Sequence, residues 1–269
     1  MKKTLFTLIM TALVFCAEAQ NKPVEDFRAM TFNVYLGGRN ADYDITPYAN
    51  FINREKPDFV SLQEVYHYTS SNGNRDFCNT LAEKTGMFAM YVKAMNSGSG
   101  YYGNVLLSKY PIIGVQTSVM RYSTTMEPRA GIIADILLPS GQIIQLCATH
   151  LEVSSEEARI QLIVDLMVRM QKRPYPGIIA GDFNAREYSL LTTAYMSSWN
   201  NLSGEEFTVT LPSPTICIDY VFGYPKDKWS ASDSKVYRTE TVSGNGGASG
   251  NNALLSDHAP VMAVISYNP

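Results

Sequence analysis

The sequence predicts a single mixed α/β domain in which strands outnumber helices. Three observations carry that reading. Of the 269 residues 45% are hydrophobic and 17% charged, which is enough apolar material for a sizeable core. Many short apolar runs bounded by Gly, Pro or Asn have the length and continuity of strands buried on both faces. Only three or four segments carry the 3.6-residue apolar period of a helix. Past the amino-terminal leader no linker, low-complexity boundary or internal repeat divides the chain, so residues 20–269 read as one domain.

The leader is set apart first. Lys2 and Lys3 precede an apolar run over 5–15, and Ala17-Glu18-Ala19 follows it. A charged start, an apolar stretch and an A-x-A site make a secretory signal over residues 1–19, too short to span a bilayer comfortably. The expected location is therefore periplasmic or secreted, and the mature chain contains no transmembrane segment. A lipoprotein anchor at Cys16 fits poorly, because the bulky Phe15 stands before it. Cleavage removes Lys2, Lys3 and Glu18, two positive charges and one negative, and takes the formal charge from −3 to −4. No Lys/Arg block remains to grip a long phosphate backbone. Cys78, Cys147 and Cys217 are odd in number and read as buried free thiols rather than a disulfide framework.

The elements follow in order. Residues 27–36 (FRAMTFNVYL) alternate as a first strand. Ile45, Tyr48, Ala49 and Ile52 have helical spacing, and Pro57 stops that helix. A buried strand over 58–63 ends at Gln63-Glu64, and a helix over 74–85 ends before Gly86. Strands are expected at 87–93, 104–108, 112–120 and 130–138, with a flexible loop at 96–100. Pro139-Ser140-Gly141 turns the chain into a strand over 143–149. Ser154-Ser155-Glu156-Glu157 is a capping-box pattern that opens a helix with Ile160, Ile163, Val164, Met167 and Met170 on one face. After it come a strand leading into Gly181, a short helix over 188–196, strands over 216–222 and 260–266, and a floppy loop at 243–252.

The stretch Gly181-Asp182-Phe183-Asn184 carries the chemistry. Ile178-Ile179-Ala180 leads into it as a buried strand, and residues two apart in an extended segment point to one side. A carboxylate and an amide then emerge together, one able to orient water and the other able to hold a phosphate oxygen. Alone, four such residues read as an Asx turn. Their company changes that. Asn33, Gln63-Glu64, Gly103-Asn104, His150 and Asp257-His258 also sit at or just past predicted strand ends, with Asp219 inside the penultimate strand. Polar groups that end buried strands gather at one rim of a sheet sandwich. This set suits a hard divalent cation, with two imidazoles beside it.

In chain order TFNVYLG, LQEV, YYGNVLLSKYPI, EPRAG, THLE, GDFNA, IDYVF and SDHAPV run from Thr31 to Val261. On these motifs the chain resembles the endonuclease/exonuclease/phosphatase superfamily. The resemblance implies an α/β (α+β), DNase I-like four-layer sandwich: two central, mostly antiparallel β-sheets flanked by helices. It implies that Glu64 holds the metal, with Asn33 beside it and Asp257 as a second carboxylate. It makes Asp182 the residue that orients the attacking water, Asn184 the holder of a phosphoryl oxygen, and His258, paired with Asp219, the cationic imidazole on the phosphate. His150 becomes a second phosphate-side histidine. Asn104 and Arg129 order the rim or touch substrate, and His67 lines the entrance or lies on an exposed loop. The expected protein is an exported, monomeric hydrolase of phosphoesters, phosphodiesters in particular. It would depend on Mg²⁺, with Mn²⁺ or Ca²⁺ as alternatives. The substrate stays open between nucleic acid, lipid and small molecule. The competing reading is a catalytically silent binding protein on the same fold.

Overall fold

The structure is a computed structural model that describes residues 26–243 and 253–268. The expected signal segment and most of the expected 243–252 loop lie outside the described residues. No helix among the described residues is long and apolar enough to cross a membrane.

Twelve strands form two six-stranded sheets. The first has the order β11 (Trp229–Val236), β12 (Val261–Tyr267), β1 (Phe27–Asn33), β2 (Phe59–His67), β4 (Gly100–Ser108) and β3 (Phe88–Ser97). The second runs β5 (Ile112–Met120), β6 (Arg129–Leu137), β7 (Ile143–His150), β8 (Gly177–Asp182), β10 (Asp219–Tyr224) and β9 (Asn200–Asn201). Among the described residues only β1–β2 and β7–β8 pair in parallel, so both sheets are mixed and mostly antiparallel, as expected. Their facing sides build the central core from Ala29, Leu106, Ile132, Ala148, Val221 and Ile265 among others. Apolar residues on both faces explain why these strands read as continuous apolar runs.

Three helices cover the outer faces. α1 (Thr46–Glu55) and α2 (Phe77–Thr85) pack Tyr48, Phe51 and Leu81 on the first sheet. α3 (Glu156–Gln171) packs Leu162, Ile163 and Leu166 on the second. Lys56 ends α1 in a left-handed conformation just before Pro57, and Gly86 ends α2 in the same way. Asp76 caps α2 by accepting from the Asn79 amide, and Ser155 caps α3 by accepting from Ala158.

Several boundaries differ from expectation. Glu64 lies in mid-strand, because β2 runs on to His67 past an irregularity between Leu62 and Val65. Asn104 likewise sits inside β4, which begins at Gly100 and shortens the expected loop. Asp219 opens β10 rather than lying within it. The expected helix over 188–196 is a single wide turn, Leu191–Tyr195. The edge strand β11 is mostly polar and exposed, so it left no apolar signature.

Two polar side chains lock the sheets face to face. The Ser61 hydroxyl donates to Ala180 O (2.8 Å), and Asn104 Nδ2 donates to Ala130 O (2.7 Å). Both bonds cross the central core, so the rim residues of one sheet are held in register with those of the other.

Candidate active site

Two register pairs place the second sheet's contribution. His150 lies opposite Asp182 across β7–β8, and Asp182 opposite Asp219 across β8–β10. Gly181 permits that approach, since a Cβ there would meet Thr149 O at 2.1 Å. From the first sheet, Asn33 ends β1 beside Gln63 of β2. The segment before β12 is stitched to the same end: Ser256 Oγ donates to Asn33 O (2.7 Å) and accepts from the His258 amide (3.1 Å).

Asp182 Oδ2 is the hub. It accepts from Asn33 Nδ2 at 3.1 Å and lies 3.4 Å from His150 Nε2 and 3.7 Å from His258 Nε2. Its other oxygen accepts from the Asn184 amide (2.9 Å). Asn33 Nδ2 also donates to Glu64 Oε1 (3.1 Å), while the Leu36 amide donates to Glu64 Oε2 (2.8 Å). His258 Nδ1 is 3.0 Å from Asp219 Oδ2, which also accepts from the Thr208 hydroxyl (2.6 Å). Asn184 Nδ2 reaches Leu151 O (3.0 Å) and His150 Nε2 (3.1 Å). Glu64 and Asn184 both have positive φ, 60° and 48°. Non-glycine residues held there are strained, and such strain clusters at functional sites.

Burial and charge set the two imidazoles apart. Burial opposes charge on His258, but the Asp219 and Asp182 carboxylates outweigh it and raise the group to about 10. Burial holds His150 well below its ordinary value, and the charges of Arg129 and His258 add to the effect. Burial pushes the Asp182 carboxyl up to about 7, aided by Asp219 and opposed by the His258 charge.

The cleft has a volume of about 300 Å³, and Glu64, His150, Asp182, Asn184, His258 and Arg129 are among its lining residues. A larger hollow of about 400 Å³ lies between the edge strands β3 and β5, but its lining has no titratable side chain. The chemistry therefore belongs to the smaller cleft. Asp257 is half-buried next to it in sequence. Asn104 does not line the cleft; its role is the bond across the core. His67 neither lines the entrance nor lies on an exposed loop. It ends β2 half-buried, stacked on Tyr91 (4.5 Å between ring centroids), with Nδ1 3.6 Å from Asp76. Arg129 is buried between Glu127 (3.2 Å) and Glu152 (3.3 Å). Neither acid was singled out from sequence, although each is the acidic member of a quoted motif, EPRAG or THLE. Ser256, which holds the His258 segment, opens the quoted SDHAPV motif, whereas Thr208, which holds Asp219, lies in none of the quoted motifs.

The donor chemistry fits a hard divalent cation. Glu64 offers its carboxylate to the cleft, Asp257 is a half-buried carboxylate beside His258 in the chain but not among the lining residues, and the three described cysteines are buried away from the cleft. Asp182, Asp219 and His258 also bring ligand atoms within 4.8 Å of one another. There, however, His258 Nδ1 is already engaged by Asp219.

Two facing six-stranded sheets with helices outside, and a carboxylate–imidazole cluster at their common rim, define a DNase I-like sandwich of the phosphoesterase class. The chain belongs to the Endonuclease/Exonuclease/phosphatase family, whose model matches residues 30–261. Members of that family are phosphoester hydrolases that depend on a divalent metal. Similar solved structures include an endonuclease/exonuclease/phosphatase from Bacteroides vulgatus (TM-score 0.71, 19% identity, 91% of this chain and 100% of that one). The human Nocturnin catalytic domain with bound sulfate (0.68, 17%, 90% and 93%) is another. A third is a mannosyl-6-phosphatase from Bacteroides thetaiotaomicron (0.65, 15%, 89% and 99%). At these identities the likeness is one of fold. No curated protein matches the chain.

Proposed function

We propose that the protein hydrolyses phosphoesters by in-line attack of water and requires a divalent cation, Mg²⁺ in the first instance. The observation that carries this is the Asp182 hub, with one carboxylate oxygen within 3.7 Å of two imidazoles and bonded to the amide that also holds Glu64. Glu64 and Asp257 would hold the cation, which when bound neutralises charge on the phosphoryl oxygens. Asp182 orients the water and takes its proton as the water oxygen bonds to phosphorus. A carboxyl raised to about 7 suits that task at neutral pH. The ester P–O bond breaks opposite the attack, and the alcohol leaves with a proton from solvent. Throughout, His258 and the Asn184 amide donate to the charged oxygens, and neutral His150 lies within their reach. The structures with bound sulfate and with phosphatase activity on a sugar phosphate support a phosphoester reading of this fold.

The test is turnover of bis-p-nitrophenyl phosphate and p-nitrophenyl phosphate in Mg²⁺, Mn²⁺ or Ca²⁺, with EDTA as control. Chelator-sensitive hydrolysis is expected, and the two probes separate diesterase from monoesterase action. Absence of metal-dependent turnover on either would leave a binding protein as the better reading. We also propose export, on the strength of the Lys2-Lys3 start and the Ala17-Glu18-Ala19 site. A mature amino terminus found at Gln20 in the exported fraction checks it.

A further inference from the structure

The phosphoryl-facing groups fill one half of the cleft, and the other half has a chemistry of its own. There Tyr66, Ser97, Tyr102, Glu127 and Arg129 form the wall. The Arg129 side chain is 8% exposed and the Glu127 side chain 55%. Arg129 donates Nε to Glu152 and Nη1 to the Tyr102 hydroxyl and His150 Nδ1, and its Nη2 is ion-paired with Glu127 at 3.2 Å. Nη2, with Glu127 as its neighbour, is where a donor remains for a ligand. Glu152 is consumed: one oxygen faces Arg129 and the other takes both the amide and the hydroxyl of Ser154. Glu127 spends one oxygen on Arg129 and presents the rest of its carboxylate to the cleft.

Charge then decides what this half accepts. Two carboxylates around one guanidinium leave a negative excess, which opposes a second phosphate or a polyanionic backbone. A quaternary ammonium would suit that excess, but its methyl shell neither donates to Glu127 nor accepts from an Arg129 N–H. A neutral alcohol with neighbouring hydroxyls does both without a charge penalty. One hydroxyl donates to Glu127, and the next accepts from the remaining Arg129 N–H. The rings of Tyr66 and Tyr102, 6.0 Å apart and at 66°, supply apolar surface for the carbon skeleton. A volume of about 300 Å³ is at the small end of ligand clefts, suited to one phosphoryl group and one sugar-sized alcohol.

We propose that this half-cleft is a leaving-group subsite for a neutral, polyhydroxylated alcohol, so that the substrate is a sugar-type phosphomonoester recognised through Glu127 and Arg129. The inference rests on the phosphoester-hydrolase reading above. Its test measures kcat/KM for glucose, mannose and galactose 6-phosphates, choline phosphate and a single-stranded oligonucleotide. p-Nitrophenyl phosphate is the reference, in whichever metal supports its turnover. The best hexose phosphate is expected to exceed choline phosphate and the oligonucleotide by about 10-fold or more. Glu127→Gln, an isosteric change at a largely open side chain, is expected to lower the ratio of hexose phosphate to p-nitrophenyl phosphate about 10-fold, mainly through KM. A best substrate among choline phosphate or the oligonucleotide, or a ratio unchanged by Glu127→Gln, would overturn the subsite. Absence of metal-dependent turnover of both p-nitrophenyl phosphate and bis-p-nitrophenyl phosphate would instead remove the hydrolase reading, and the subsite with it. Turnover of the diester alone would overturn the monoester subsite and leave the hydrolase reading standing.

Discussion

Asp182 faces two imidazoles that differ in charge because of what stands behind each ring. Behind His258 is the Asp219 carboxylate at 3.0 Å; behind His150 are the Arg129 guanidinium at 3.5 Å and the Tyr102 hydroxyl at 3.4 Å. A carboxylate stabilises a cationic ring, and a guanidinium opposes one. The expected consequence for Asp219→Asn is a fall of roughly 10²–10³ in kcat, the size seen when a charge-stabilising group is disabled. KM should change little. Steady-state kinetics decide it, and near-wild-type kcat would take the Asp219–His258 pair out of the reaction. His150 has a separate signature in stability. Its folded-state pKa lies well below the ordinary 6.5, so below pH 6.5 the unfolded chain binds a proton that the native site refuses. Stability attributable to this ring is present above pH 6.5 and lost as pH falls, by up to about 1.4 kcal/mol per pH unit. His150→Asn should therefore flatten the loss of stability between pH 6.5 and 5 in urea unfolding of metal-free protein. An unchanged slope would mean that the ring titrates normally.

At the scale of elements, the β7–β8 pair positions Asp182, and Gly181 sets how close the strands lie. A Cβ at Gly181 would meet Thr149 O at 2.1 Å and Thr149 Cγ2 at 3.1 Å, and backbone cannot swing aside as a flexible side chain can. Gly181→Ala is expected to cost about 1–3 kcal/mol, the usual range for overpacking. It should also impair turnover, because the strand must shift next to the hub. Chemical denaturation and kcat together check it; an unaffected kcat would show that β8 has slack. The same strand shows what sequence could disclose. Its apolar run, the glycine and the paired Asp and Asn were readable in order. So were the carboxyl ends of α1 and α2, where Pro57 and Gly86 leave a local chemical mark, although α2 starts at Phe77 rather than at the expected 74. The second serine of the capping pattern, Ser155, is the one that caps α3, a one-residue choice that local composition does not settle. The mid-strand position of Glu64 was not readable, because an irregular pairing in β2 depends on the partner strand β4. β11 was hidden for a different reason. An edge strand with one open face needs no apolar alternation, and only its pairing with β12 defines it. Arg129's two carboxylate partners flank the β6–β7 hairpin in sequence, one before β6 and one after β7, and only the antiparallel pairing brings them to the same open end.

For the whole molecule, the cleft exists only when both sheets are docked. Asn33 and Glu64 come from the first sheet, His150, Asp182 and Asp219 from the second, and Asp257-His258 from the segment entering β12. The unfolded chain has no preassembled set of oxygens, so a cation held by Glu64 and Asp257 binds the native state alone. Such a ligand stabilises by about 2.7 kcal/mol at 100 times its dissociation constant. For a chain of this size that corresponds to a rise in Tm of roughly 5–10 °C. Mg²⁺ or Mn²⁺ should therefore raise Tm in a saturable way that EDTA reverses. Glu64→Gln should abolish most of that rise while leaving the metal-free Tm near wild type, because Glu64 is only half-buried and its side-chain bonds, to the Asn33 amide and the Leu36 amide, can be partly kept by an amide oxygen. Differential scanning calorimetry across metal concentrations gives the answer without reference to turnover. An equal metal-induced rise in wild type and Glu64→Gln would place the cation elsewhere, with the Asp182–Asp219–His258 cluster as the next position to test by the same titration.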